Sequence, residues 1–260
     1  MEEPTGKQWE LHREFIMRIG DKQTTLSNIT SFDEGSMRYL INNVVGKVYS
    51  RPQLDSKTRE MCTISALMSL GVAPDFIIQE HFRIGLSMAS LQEVRELIVQ
   101  LHWIVGWPAF MRMSEALHRF IEEKGMDKSL QPIRHDYDKV DWYKEGMETG
   151  KQLHGASEWD DMHNYVYAFE PGAAAFLVEN IYGEVLNRPS ILDPKIRQLC
   201  YIASVIALNN TDALKLFIPA ALNVGCSPEE IKEVIFHMSV YRGWPSTLSA
   251  IAVYNEVMQK

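Results

Sequence analysis

The amino-acid sequence predicts an all-α protein made of two similar helical halves. Apolar residues recur at helical spacing, and no segment shows the convincing alternation of a half-buried strand. One stretch also occurs twice, as Leu54-Asp-Ser-Lys-Thr-Arg-Glu-Met-Cys62 and as Leu192-Asp-Pro-Lys-Ile-Arg-Gln-Leu-Cys200. Together, these observations predict a duplicated helical domain.

The duplication extends along much of the chain and defines the expected domains. The tripeptide Gly-Trp-Pro at 106–108 returns at 243–245, which coincidence between single residues does not explain. We therefore expect a first repeat at 1–124, a connector at 125–140 and a second repeat at 141–260. Two copies of this length indicate two similar domains, because a solenoid needs more and shorter units.

The composition is that of a globular protein and argues against several functional classes. The 260 residues are 46% hydrophobic, which is enough for real cores, and the net charge of −8 disfavours binding to nucleic acid or to an anionic membrane. Neither a signal peptide nor an apolar run of about 20 residues is visible. Three isolated cysteines without a C-x-x-C pair indicate a reducing, cytoplasmic setting.

The first two helices are predicted from apolar spacing and a proline stop. Residues 8–20 carry apolar side chains at helical spacing and end near a glycine. A second helix opens at 31–35 and ends at Arg51-Pro52, because the residue before a proline is pushed out of the helical region.

The third and fourth helices are set by their end residues. Asp55 is a good N-cap, because its carboxylate accepts hydrogen bonds from the amides of the first turn. Residues 56–70 are apolar almost all round, which predicts a buried helix that Gly71 ends. A fourth helix is expected at 74–86.

The last two helices of the first repeat lie on either side of Gly106-Trp-Pro108. Ser90-Leu-Gln-Glu93 is a capping box that opens a helix extending to 105. Proline removes a backbone donor and clashes one turn back, so the tripeptide is expected to break or kink this helix. The final helix is expected at 109–123. The second repeat should open with one helix and then repeat this order over 161–260.

Four features of the first repeat occur in combination: Arg59-Glu60, His81, the Ser90 capping box and Gly106-Trp-Pro108. With them, the chain resembles the carboxymuconolactone decarboxylase family of the alkylhydroperoxidase-D-like superfamily. The resemblance covers 54–123 and again 192–257, and it implies two tandem alkylhydroperoxidase-D-like helical domains. The peroxidase branch of that superfamily carries C-x-x-C just before a histidine. Residues 71–77 contain no cysteine, so the resemblance is to the decarboxylase branch.

The resemblance assigns the catalytic roles to Glu60 and His81. A carboxylate and an imidazole on facing helices can act together as a general acid and base. The second repeat has Gln198 and Phe217 at the aligned positions, so we expect one competent site per chain, in the first repeat. A structural interpretation stays open, with Glu60 in an ion pair and His81 as a packing residue.

Three further residues are candidates for substrate binding. Arg59 would hold a substrate anion, although its recurrence as Arg197 favours a structural role. Trp107 would line the pocket or pack at the helix break. Cys62 would contact the substrate, act as a nucleophile or, like the aligned Cys200, fill the core.

The resemblance implies a lyase that needs no cofactor and no metal. It would decarboxylate a small acidic lactone or related carbonyl acid by desolvating the departing carboxylate, stabilising an enolate-like oxyanion and returning a proton to carbon. An isomerase, dehydratase or cyclase remains an alternative, as does a non-catalytic helical assembly module. The expected partners are a small-molecule substrate and further copies of the chain, as a trimer or dimer, with no nucleic acid or membrane.

Overall fold

The fold is all-α, as the sequence predicts. A computed structural model describes residues 33–129, 139–188 and 190–259, and no strand occurs in these three ranges. Twelve α-helices lie within them, and none is both long and apolar enough to cross a membrane. The helix predicted at 8–20 falls outside the described residues.

Between residues 33 and 129 the structure describes five α-helices, of which the first continues directly into a π-helical segment. That segment ends just before the predicted stop at Arg51-Pro52. The elements are α1 (Glu34–Tyr39) with π1 (Leu40–Tyr49), α2 (Ser56–Leu70), α3 (Asp75–Leu86), α4 (Leu91–Val105) and α5 (Trp107–Glu123).

The second half shows the same order, preceded by two helices where the sequence predicts one opening helix. The first of these two is the predicted opening helix. The elements are α6 (Trp142–His154), α7 (Ala156–Phe169), α8 (Pro171–Phe176) with π2 (Leu177–Val185), α9 (Pro194–Ala207), a 3₁₀ turn (Thr211–Ala213), α10 (Leu214–Asn223), α11 (Pro228–His237) and α12 (Trp244–Met258).

Helix α7 is the element that apolar spacing did not reveal. It begins after Gly155, whose φ of +88° ends α6. Trp159 is the residue of this helix that is fully buried, and it packs onto Gly150 of α6. A Cβ on Gly150 would lie 2.3 Å from the Trp159 ring. One buried side chain makes no apolar stripe, so periodicity does not detect such a helix.

The end signals located the predicted helices. The Asp55 side chain accepts a hydrogen bond from the Thr58 amide at 2.9 Å, and Gly71 ends α2 in the left-handed conformation with φ of +70°. Both capping boxes, at Ser90 and at Ser227, are formed. The second and fourth helices also occur where they were expected.

The predicted break at Gly106-Trp-Pro108 is confirmed, but glycine makes it. Gly106 has a φ of +79° and ends α4, and α5 begins at Trp107 rather than at Ala109. Pro108 therefore lies in the first turn of α5, where its missing N–H has no intrahelical partner to lose. Gly243 repeats this arrangement, with a φ of +81°, before α12.

Helices α2 and α9 form the centre of the core. Nearly all their side chains are buried, and the Ser69 and Ser204 hydroxyl oxygens are 2.7 Å apart across the contact. Cys62 contacts its own aligned residue, Cys200. Aligned residues contact each other when two similar halves are related by an approximate two-fold axis, because the same surface of each half then faces the other. The two halves thus share one core.

Candidate active site

Glu60 and His81 meet inside the first half. Glu60 lies on α2 and His81 on α3, and their Oε1 and Nδ1 atoms are 2.6 Å apart. Glu60 is fully buried and His81 is 5% exposed. The structure thus brings together the two residues that the sequence analysis selected as catalytic.

Local sequence features position this pair. Asp55 fixes the start of α2, so that Glu60 begins its second turn. Helix α3 approaches α2 at Gly85, where a Cβ would lie only 2.9 Å from Ile64 Cδ1. The glycine therefore allows a close contact one turn after His81.

The contact determines how His81 can act. A carboxylate oxygen only accepts, so Nδ1 is the ring nitrogen that donates to Glu60. Nε2 is then a proton acceptor in the neutral ring and a donor in the imidazolium. A buried carboxylate is costly without a partner. The pair can therefore take up and return one proton at Nε2 while Glu60 balances the charge.

Four residues that the sequence analysis did not select lie beside this pair, and we call them the hydroxyl cluster: Tyr49, Thr63, His237 and Tyr241. Thr63 Oγ1 is 2.9 Å from His237 Nε2 and accepts from the Tyr241 hydroxyl at 3.1 Å. The Tyr49 hydroxyl lies 3.3 Å from Thr63 Oγ1 and contacts the Tyr241 hydroxyl. The Tyr241 ring stands edge-on to the His81 ring, with centroids 6.5 Å apart.

Tyr49 connects the hydroxyl cluster electrostatically to Glu60 and His81. Burial, and then the nearby charge of Glu60, raise the pKa of its hydroxyl well above the ordinary value. The hydroxyl therefore stays protonated at physiological pH and can act as a hydrogen-bond donor.

The hydroxyl cluster could have been found in the sequence by comparing the residues at aligned positions of the two halves. Its two tyrosines align with apolar residues, and its threonine and histidine align with side chains that make other contacts. The aligned residues are Leu186 for Tyr49, Tyr201 for Thr63, Gln100 for His237 and Ile104 for Tyr241. His237 has a glutamine, not a histidine, at its aligned position, and this difference between the halves is what marks it.

Arg59 lies in an ion pair between the halves. Its Nη2 donates to Glu233 Oε1 at 2.9 Å and to the Arg51 carbonyl at 2.9 Å, and the side chain is fully buried. The aligned Arg197 donates to Glu96 Oε1 at 3.0 Å. This recurrence supports a role for Arg59 in anchoring α2 to α11, and its binding of a substrate anion stays a prediction.

Cys62 and Trp107 have their described contacts elsewhere. Contact with the Cys200 thiol, together with burial, raises the pKa of the Cys62 thiol well above its ordinary value, so the thiol stays protonated. Trp107 is 61% exposed, and its ring packs against His102 and Phe110 at centroid distances of 5.3 and 5.0 Å. Substrate binding by Cys62 and Trp107 stays a prediction.

Aromatic side chains occupy the aligned region of the second half. Phe217 packs against Tyr201 and Trp103, with ring centroids 5.2 and 5.9 Å apart. Gln198 lines a small cavity of about 120 Å³. The carboxylate and imidazole of the first half are thus replaced here by an amide and a phenyl ring.

A larger cavity lies between α4 and α5, apart from Glu60 and His81. It has a volume of about 540 Å³, and its lining includes Arg95, Ile98, Phe110, His118 and Arg188 but neither Glu60 nor His81. Within the part of the chain that the structure describes, no group of three or more His, Cys, Asp or Glu side chains is arranged to hold a metal ion.

Comparisons with known proteins agree on one family. The sequence model of the carboxymuconolactone decarboxylase family matches residues 171–256. The chain is 31% identical to 4-carboxymuconolactone decarboxylase of Acinetobacter baylyi over 117 residues, which are 45% of this chain and 87% of that protein. It is 29% identical to nitrosuccinic acid decarboxylase of Metarhizium robertsii over 111 residues, which are 43% of this chain and 77% of that protein.

A solved structure with the same fold covers nearly the whole chain. It is that of a Burkholderia xenovorans LB400 protein provisionally described as a gamma-carboxymuconolactone decarboxylase subunit. The TM-score is 0.59, and the match spans 98% of this chain and 99% of the other at 20% sequence identity. At this identity the likeness establishes the fold alone, an all-α alkylhydroperoxidase-D-like fold.

Proposed function

This chain belongs to the carboxymuconolactone decarboxylase family, and from that premise we propose that it removes CO2 from a small carboxylic acid. The departing carboxylate is conjugated with, or adjacent to, an electron-accepting group such as a lactone carbonyl or a nitro group. Glu60 and His81 are the acid–base pair. The observation that carries the proposal is their buried contact of 2.6 Å.

The names of the two relatives support a common reaction type. A lactone carbonyl is the electron acceptor in 4-carboxymuconolactone, and a nitro group is the acceptor in nitrosuccinic acid. When the C–C bond to the carboxylate breaks, its electron pair moves onto an oxygen of that acceptor and CO2 leaves. A proton is then added to carbon. The balance requires one proton and neither an oxidant nor a reductant.

His81 supplies that proton in the proposed mechanism. The imidazolium holds one N–H at Nδ1, bound to Glu60, and offers the other at Nε2. The Glu60 carboxylate stabilises the imidazolium inside the protein until the transfer, and solvent then reprotonates the ring. Burial of both side chains supports this mechanism, because electrostatic interactions are stronger where bulk water is excluded.

The variants Glu60→Gln and His81→Phe, made singly and together, test this function. They introduce the residues that the second half carries at the aligned positions, where the fold accommodates them. We expect kcat/KM for CO2 release from 4-carboxymuconolactone or nitrosuccinic acid to fall by about 10²–10⁴-fold, the usual contribution of acid–base catalysis.

His118→Gln is the matched control, because the His118 side chain is 57% exposed and lies on α5. It should keep wild-type turnover. Thermal unfolding verifies that the double variant is folded. Wild-type turnover in that folded variant would contradict the assigned roles. If the wild type releases CO2 from neither acid, an isomerase, dehydratase, cyclase or assembly role gains over the decarboxylase.

A further inference from the structure

We propose that the second half of the chain supplies a catalytic hydroxyl to this site: Tyr241 donates a hydrogen bond to the substrate oxygen that becomes negative, beside His81. His237 and Thr63 are positioning residues that act through that hydroxyl. The proposal deepens the decarboxylase function proposed above and rests on it.

Tyr241 combines contact with His81 and access from solvent. The other members of the hydroxyl cluster, like Glu60 and His81, are buried, whereas Tyr241 is partly exposed. Its ring stands edge-on to the imidazole at 6.5 Å. These are the two properties that a donor facing the substrate needs.

The hydrogen bonds of Thr63 show what His237 contributes. The Thr63 hydroxyl donates its own proton to the Arg59 carbonyl at 3.2 Å, so towards the cluster its oxygen accepts. It accepts from Tyr241 at 3.1 Å, and His237 Nε2, at 2.9 Å, is then a second donor. Because His237 keeps Thr63 satisfied, Tyr241 can turn its proton to a substrate oxyanion without leaving a buried acceptor unpaired.

Tyr49 strengthens the donor. Its hydroxyl contacts that of Tyr241 and stays protonated, since burial raises its pKa. A hydrogen bond donated to the Tyr241 oxygen polarises the Tyr241 O–H, and successive hydrogen bonds of this kind reinforce one another. An oxyanion at the end of the series would receive a stronger hydrogen bond than from an isolated tyrosine.

The aligned counterpart of this site shows that the fold does not require the two tyrosines. Leu186 of the second half and Ile104 of the first half occupy the aligned positions there, and Gln198 and Phe217 stand where the site has Glu60 and His81. Tyr201 and Gln100 make a different contact there, in which the Tyr201 hydroxyl donates to the Gln100 carbonyl at 3.3 Å. The tyrosine hydroxyls therefore accompany Glu60 and His81, as catalysis would require.

Tyr241→Phe tests the catalytic hydroxyl by removing one oxygen. The probe is whichever of 4-carboxymuconolactone and nitrosuccinic acid the wild type decarboxylates. We expect kcat to fall by about 10²-fold, the effect of losing one oxyanion donor, while KM changes by less than about threefold. Tyr201→Phe is the matched control, because it removes a buried tyrosine hydroxyl from the other half and should keep wild-type kcat.

The pair His237→Leu and His237→Gln tests positioning. Glutamine carries an amide N–H that can replace the donor to Thr63, whereas leucine cannot. We expect His237→Gln to recover most of the kcat that His237→Leu loses. A merely structural role would change stability in both variants without this split in kcat.

Each outcome decides the matter. A Tyr241→Phe protein with kcat within about twofold of the wild type overturns the proposal, as does an equal kcat in the two His237 variants. If Tyr241→Phe does not fold, the His237 pair decides alone. An inactive Glu60→Gln/His81→Phe variant alongside an unaffected Tyr241→Phe overturns only the present proposal. A wild type inactive on both acids counts against the decarboxylase function itself, and the present proposal, which rests on that function, falls with it.

Discussion

Glu60 and Gln198 occupy aligned positions on α2 and α9, and both side chains are buried. In the first half the neighbouring helix offers an imidazole 2.6 Å away, and in the second half it offers Phe217. A neutral amide needs no ionic partner in the core, whereas a carboxylate does. The two differences between the halves are therefore physically consistent, because the half without the imidazole carries a neutral amide in place of the carboxylate.

His154 shows another way to bury an imidazole. Its ring stacks on Trp159 at 6.1 Å, and its Nε2 lies 2.8 Å from the Tyr182 hydroxyl. Burial lowers its pKa from 6.5 to about 4. Desolvation favours the neutral ring here, so this histidine is held uncharged at neutral pH.

This lowered pKa predicts an acid-dependent loss of stability. Between pH 6.5 and about 4 the unfolded chain binds a proton at His154 that the folded chain does not. Above pH 6.5 the free energy of unfolding is not reduced by this histidine. As the pH falls from 6.5 to about 4, the free energy of unfolding decreases by about 3 kcal/mol in total. His154→Phe should flatten this part of the pH dependence of the unfolding free energy, measured with urea.

A His154→Phe protein that keeps the wild-type slope between pH 6.5 and 4 would show that this histidine does not carry the effect.

Helix α6 and π2 pack with their backbones in direct contact. A Cβ on Gly146 would lie 2.0 Å from the Val178 carbonyl oxygen, and one on Gly183 would lie 2.3 Å from that of Trp142. Neither oxygen can move as the end of a flexible side chain does. Glycine at both positions is thus what lets α6 lie directly against π2.

Gly183→Ala is therefore expected to destabilise the fold. Forcing a methyl group into this contact should lower the free energy of unfolding by about 1–3 kcal/mol, measured by chemical denaturation. Gly172→Ala is the control, because the atoms nearest to a Cβ at that position belong to the Glu170 carboxylate, at the end of a flexible side chain. A wild-type stability for Gly183→Ala would mean that the two elements can separate without cost.

The residues that begin and end helices predicted their positions more reliably than the spacing of apolar residues did. Asp55, Gly71 and the two capping boxes act within one turn of the chain, so local sequence was sufficient to predict them. Helix α7 has one buried side chain, Trp159, and it packs onto a neighbouring helix that the local pattern does not reveal. Helix α5 begins two residues before the predicted start, because Gly106 and not Pro108 makes the break.

The whole molecule is joined by reciprocal ion pairs between its halves. Arg59 of α2 binds Glu233 of α11, and Arg197 of α9 binds Glu96 of α4. All four side chains are buried. The division into repeats at 1–124 and 141–260 stays a prediction, but the described halves contact each other through aligned residues.

Glu233→Gln should weaken this connection strongly. It leaves the charge of buried Arg59 without its carboxylate, and breaking one side of a buried pair costs about 3–5 kcal/mol of unfolding free energy. Glu256→Gln is the control, because its pair with Lys215 is about half exposed and should contribute less than about 1 kcal/mol. Equal losses in the two variants would show that burial does not set the strength of the pair.

Part of the candidate site could be predicted from the sequence. Glu60 and His81 lie 21 positions apart within one recognisable motif. The hydroxyl cluster joins Tyr49 to Tyr241, which are 192 positions apart, and only the packing of α11 against the first half brings them together. The predicted homo-oligomer stays a prediction, although the exposed Trp107 and Trp244 leave apolar surface on α5 and α12.

The approximate two-fold contact between α2 and α9 has a genetic consequence. In a pair of identical subunits, any substitution appears on both sides of the contact at once. Here the two units are encoded in one polypeptide, so positions 104 and 241 mutate independently. One unit can keep the proton donor while the other specialises in supporting it, a division of labour that a symmetric homodimer cannot reach by point mutation.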